Sequence, residues 1–346
     1  MRQRIVWVDV IRATAMFFVV CLHTASPLLG QFGKMDFGDW QIANVYDSMM
    51  RMAVPLFFMI TGVMLLNGRE EPLPLFFKKR FFKVLIPLLV WSLLYILFRK
   101  YVLGQDIGII KLFLSSLLWK SYYHLWFLYT IIGIYFFLPI LRVFVNNAST
   151  SLKIYFVLLW AFVVSVLPLL EKFSGIALPN YLPMMAGYTG YLLLGHLLSK
   201  AAVTKRLFYL ALFFAVAATS ATVYGTAALS ETADAFDDFF YGYFSVTTMV
   251  QAISYFFVLK YVAQTVIAGN EKTTLFFAGI SKASLGIYLI HPMVLWILSE
   301  QTGWGTGLAG DDPLVTVPVT AVTAFMISYG CIFILQKIPV VRRSVP

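Results

Sequence analysis

A chain of 346 residues with 60% hydrophobic and only 12% charged residues, at a mean hydropathy of +0.83, is too apolar for a water-soluble domain. Its net charge of +10 comes from basic residues scattered over short loops, which argues against a nucleic-acid partner. Two cysteines and four histidines without clustered carboxylates offer neither a disulfide framework nor metal-ligand spacing.

Apolar runs near 20 residues predict ten membrane helices, at 5–29, 41–66, 80–99, 124–144, 152–170, 181–199, 206–228, 241–267, 283–300 and 314–336. The expected fold is all-α, a polytopic membrane helix bundle forming one domain over residues 1–346. The opening Met1-Arg2-Gln3-Arg4 imitates a signal peptide. Asp9, Arg12 and an apolar length of about 25 residues make it an uncleaved first span instead. Segment 107–119 is too short to span and is expected in the interface. Leu178-Pro179-Asn180 and the Gly-rich stretch 303–310 punctuate loops. With the N-terminus inside, the cytoplasmic loops hold 18 lysines and arginines and the opposite side 6, with Arg12 and Arg51 within spans. The positive-inside rule then sets both termini in the cytoplasm.

The first span carries three ionisable side chains. Arg12 and His23 are eleven residues apart, so they leave one helix face about 16 Å apart along the axis. Asp9 lies on that face within pairing reach of Arg12. A charge at membrane depth costs roughly 2.5–3.5 kcal/mol, so these groups should face the bundle interior or a wet cavity. Asp47 and Arg51 stand at i, i+4 in the second span, in the favourable order for an ion pair. His124 and Trp126 open the fourth span inside an aromatic belt, and Tyr288 and His291 share a face of the ninth. His196 reads as a buried structural histidine. The basic run Lys78-Lys79-Arg80-x-x-Lys83 is either a topology anchor or a phosphate site. For each polar residue alone, structural pairing competes with chemistry. Their convergence favours an aqueous slot through the bilayer.

These residues carry a family resemblance. Arg12-x10-His23, Val54-Pro55-Leu56-Phe57-Phe58-Met59-Ile60-Thr61-Gly62, the basic run before Pro87, His124-Leu125-Trp126-Phe127-Leu128 and Ser284-x-Gly286-x-Tyr288-x-x-His291-Pro292 resemble the acyltransferase 3 family of integral membrane O-acyltransferases. The blocks occur in the family's order and cover most of the chain. Two departures stand out: Thr61-Gly62 where the family often has Ser-Gly, and Arg80-x-x-Lys83 where it often has two arginines. Lysine keeps the charge but loses the bidentate fork. Ile42-Ala43-Asn44-Val45 and Tyr123 through Phe127 look most like the enterobacterial common antigen O-acetyltransferase branch.

The resemblance implies acyl transfer, commonly of acetyl, from cytoplasmic acyl-CoA to a hydroxyl of a cell-surface or lipid-linked glycan. It also implies a bacterial inner membrane location and no metal. His23 would be the general base, helped by His124 or His291. Arg12 would hold the CoA arm or orient the site through Asp9. Arg80 and Lys83 would bind acyl-CoA phosphates, and Arg51 the acceptor or a developing oxyanion. Trp126 and Tyr288 would support the substrate. A proton-coupled transporter or flippase is the alternative, because intramembrane His, Arg and Asp also form relays. Inverted repeats would favour it, and none is visible. A non-catalytic scaffold would need only one polar cluster.

Overall fold

The computed structural model describes residues 4–66, 71–175, 187–302 and 312–345, and among these every regular element is helical. Among the described residues nine stretches of helix are long and apolar enough to cross a membrane. Most of them match expected spans. Of the span expected at 181–199, only residues 187–199 are described, as are none of Leu178-Pro179-Asn180 and 303–310.

Helix α1 (Val6–Leu29) is the centre of the bundle. It packs on α2 (Phe37–Met50), α3 (Ala53–Leu66), α11 (Val246–Val262), α12 (Glu271–Thr302) and α13 (Pro313–Leu335). Apolar residues surround its few polar side chains, as an interior helix requires. Ile11, Ala15, Met16, Val20 and Ala25 are accordingly inaccessible. The remaining helices include α4 (Leu73–Tyr101), α5 (Ile109–Ser115), α6 (Trp126–Asn147), α7 (Thr150–Ala161), α8 (Leu167–Ser174), α9 (Thr189–Ser199) and α10 (Lys205–Ala233). Phe213, Val216 and Tyr224 of α10 and Phe136 and Phe137 of α6 are exposed large apolar side chains, as a lipid-facing surface requires. Helix α5 buries nothing and presents Ile110 and Leu114 beside Lys111.

Three local departures from the expected spans bear on function. The second span is broken at Arg51–Met52 between α2 and α3. Pro55 has no N–H for the Arg51 carbonyl, and its ring crowds that oxygen. Helix α4 begins at Leu73 with Pro74 in its first turn, so Lys78 to Lys83 lie on the helix and not in a loop. Helix α12 runs back to Glu271, which makes Ser281 and Lys282 helical.

Helices α3 and α9 touch through their backbones. A Cβ added at Gly62 would stand 1.9 Å from the Leu192 carbonyl oxygen, and one at Gly195 would stand 2.2 Å from that of Met59. Small residues allow such approach in membranes, where close packing replaces the hydrophobic drive. Gly62 therefore fixes the inner wall of the bundle one residue from Thr61.

Candidate active site

Arg12 and His23 line one cavity of about 470 Å³. Its wall is completed by Thr61 and Phe57 from α3, Lys83 from α4, Trp126 and Tyr135 from α6, Ser281, Lys282 and Tyr288 from α12, and Tyr243. No acidic residue lines it among the described residues.

Proline spacing explains how helices shape this wall. Pro27, Pro87, Pro139 and Pro292 lie inside α1, α4, α6 and α12. Each follows a wall residue by four positions: His23, Lys83, Tyr135 and Tyr288. Proline cannot donate to the carbonyl four residues back, so all four wall residues lose their helical donor. At membrane depth, such carbonyls are tolerated beside a water-lined cavity or where a side chain meets them. Pro318 shows the second solution, since the Leu314 carbonyl it frees accepts the Tyr46 hydroxyl at 2.9 Å.

The histidines gather at one end. His23 Nδ1 lies 2.7 Å from His291 Nε2, and the ring planes are 7° apart, edge to edge, with centroids 5.0 Å apart. His291 is wholly buried, with Nδ1 3.2 Å from the Ile287 carbonyl. Tyr123 packs edge-on against His23 at 5.3 Å. His124 sits behind His291, its centroid 5.7 Å away, boxed in by Tyr95, Tyr122 and Tyr288. The Tyr288 hydroxyl donates to the His124 carbonyl, and among the described residues neither ring nitrogen of His124 has a hydrogen bond within ordinary geometry. Trp126 presents its ring to the cavity and stacks on Tyr243 with centroids 5.7 Å apart.

Cations gather at the other end. Arg12 does not pair directly with Asp9, although the spacing allowed it. Ser281 stands between them: its hydroxyl donates to Asp9 at 2.6 Å and accepts from Arg12 at 3.3 Å. Asp9 takes its ion pair from Arg4 at 2.7 Å. Lys83 and Lys282 reach the cavity from exposed positions, and neither has an ion-pair partner among the described residues.

Two arginines singled out in the sequence do not line the cavity. Arg51 pairs with the wholly buried Asp47, which also accepts from Ser26 at 2.7 Å. Its guanidinium lies 4.0 Å above the Tyr241 ring. Arg80 pairs with Glu71 at 2.7 Å and covers the Phe76 ring at 4.2 Å. The Arg80 hydrogen bond holds the Glu71 carboxyl below the ordinary carboxylate range. His196 lies away from the cavity, buried in α9.

Sequence reasoning missed Ser281, Lys282, Tyr135 and Tyr243. Ser281, Ser284, Tyr288 and His291 follow the i, i+3, i+7, i+10 pattern of one helix face, so extending the ninth span by one turn would have found Ser281. Tyr243 had no such signal.

No curated protein and no solved structure matches the chain significantly. A family model described as an acyltransferase domain, that of acyltransferase 3, matches residues 5–336 and so spans nearly the whole chain. The chain belongs to the acyltransferase 3 family and is a multi-pass membrane acyltransferase.

Proposed function

We propose that this enzyme transfers an acyl group, acetyl foremost, from cytoplasmic acyl-CoA to a hydroxyl of a cell-surface or lipid-linked glycan at the bacterial inner membrane. The observation that carries this reading is one cavity with three cations and no acidic residue, among the described residues, in its wall, and a histidine at its other end. The phosphates of the donor suit Arg12, Lys83 and Lys282, of which the two lysines are reachable from outside the bundle. An extended pantetheine arm has the same order of length as the Arg12–His23 rise of about 16 Å, so its thioester would arrive beside His23. Lys83 in this reading carries more of the donor contact than Arg80, whose charge Glu71 already engages. Our proposed branch within the family is that of the enterobacterial common antigen O-acetyltransferases, on the Ile42–Val45 and Tyr123–Phe127 stretches.

In the reaction, His23 takes the proton of the acceptor hydroxyl as its oxygen attacks the thioester carbonyl carbon. The tetrahedral adduct collapses with cleavage of the carbon–sulfur bond, and the leaving thiolate recovers the proton from His23. The products are the ester and free CoA. Trp126 offers an aromatic face to the acceptor.

The test is incubation of purified protein with radiolabelled acetyl-CoA and candidate glycans. Label transfer is expected, and His23→Ala should lower it at least about 100-fold while leaving abundance near wild type. Solute uptake into proteoliposomes without CoA release would select a transporter instead.

A further inference from the structure

We infer that His291 is the positioning residue that holds His23 in the one neutral tautomer able to act as a base toward the cavity. This rests on the reading of His23 as general base.

A backbone carbonyl only accepts, so the 3.2 Å contact between His291 Nδ1 and the Ile287 oxygen places the proton of His291 on Nδ1. A neutral imidazole has one N–H, and His291 Nε2 is therefore a lone pair. That lone pair faces His23 Nδ1 at 2.7 Å. Two lone pairs at this distance repel, so His23 Nδ1 carries its proton. His23 Nε2 is then left unprotonated, on a ring that lines the cavity. The opposite arrangement would turn the His291 Nδ1 lone pair against a carbonyl inside a wholly buried site, where an unmatched polar contact is costly.

Pro292, lacking an N–H, also leaves the Tyr288 carbonyl without a helical donor. When His23 gains a second proton from the acceptor, its Nδ1–H bond to neutral His291 becomes charge-assisted and stronger. His291 so performs, without a negative charge, the orienting role of the buried carboxylate in a Ser-His-Asp triad.

The experiment has a spectroscopic and a kinetic arm. In protein labelled with ¹⁵N-histidine and reconstituted in lipid, His23, assigned by the signal lost in His23→Ala, should show a protonated Nδ1 and a bare Nε2. This arm needs no turnover and no substitution in the form observed. In the kinetic arm, His291→Leu removes the acceptor and should lower kcat at least about 100-fold, with KM for both substrates within about twofold of wild type. His291→Gln returns an acceptor oxygen and should recover most of the loss. A wild-type His23 protonated at Nε2, or a His291→Leu enzyme with unchanged kcat, would overturn the inference. His23→Ala with unimpaired transfer would overturn the base reading itself, while the spectrum would still report the tautomer.

Discussion

The basic residues of this enzyme fall into two sets that differ in company. Arg51 and Arg80 each hold a carboxylate, Asp47 and Glu71, and each covers an aromatic ring. Among the described residues Lys83 and Lys282 have no ion-pair partner, and Arg12 reaches Asp9 through Ser281. The paired set lies off the cavity and the unpaired set lines it. A buried cation with a matched anion is a structural unit, already neutralised. Cations that share a wall without an acid repel one another until an anion arrives, and that free energy is available for binding a polyanion.

The largest expected effect breaks the paired set. Arg51→Leu leaves the Asp47 carboxylate buried without its cation, which should cost about 3–5 kcal/mol of stability. Denaturation in mixed detergent measures it, and adding Asp47→Asn should recover a substantial part. A loss below about 1 kcal/mol would mean that Ser26 and water suffice for Asp47. Next come the unpaired lysines. Lys83→Gln and Lys282→Gln should each raise the KM for acetyl-CoA about five- to tenfold with kcat kept, the pattern of binding lost equally from ground and transition states. The difference from wild type should shrink at 1 M salt, where the Debye length is about 3 Å. An altered kcat with constant KM would move these residues out of donor binding.

The smallest effect belongs to the Glu71–Arg80 pair. Arg80 lowers the Glu71 carboxyl in the folded enzyme, so its stabilising contribution is present above the unfolded carboxylate range and disappears as pH falls through the lowered value. Glu71→Gln should therefore leave transfer at neutral pH within about twofold of wild type and flatten only the acid limb of the stability profile. A large fall in donor KM on Glu71→Gln would show that the pair competes with the donor for Arg80.

Periodicity made the membrane class and most spans visible, along with the Arg12–His23 face and the Tyr288–His291 face, because each is a property of one helix. What escaped depended on partners far along the chain. Ser281 separates Asp9 from Arg12 across 272 and 269 residues, and the i, i+3 spacing of the two charges gave no sign of it. Likewise His23 and His291 are 268 residues apart. The break at Arg51 was readable from Pro55 but hidden by the apolar run that follows it. Arg80 looked free because Glu71, nine positions away, belongs to a different register of the same helix entrance. Long-range pairing thus separated binding cations from structural ones, a distinction that charge alone does not make.

Calorimetric titration of acetyl-CoA into detergent-purified enzyme tests that distinction most directly, using wild type, Lys83→Gln/Lys282→Gln and Arg80→Gln. The cavity reading expects the double variant to bind at least about 30-fold more weakly, and Arg80→Gln to stay within about twofold of wild type. Unchanged affinity in the double variant, or a larger loss in Arg80→Gln, would contradict the assignment of the donor to the unpaired cations.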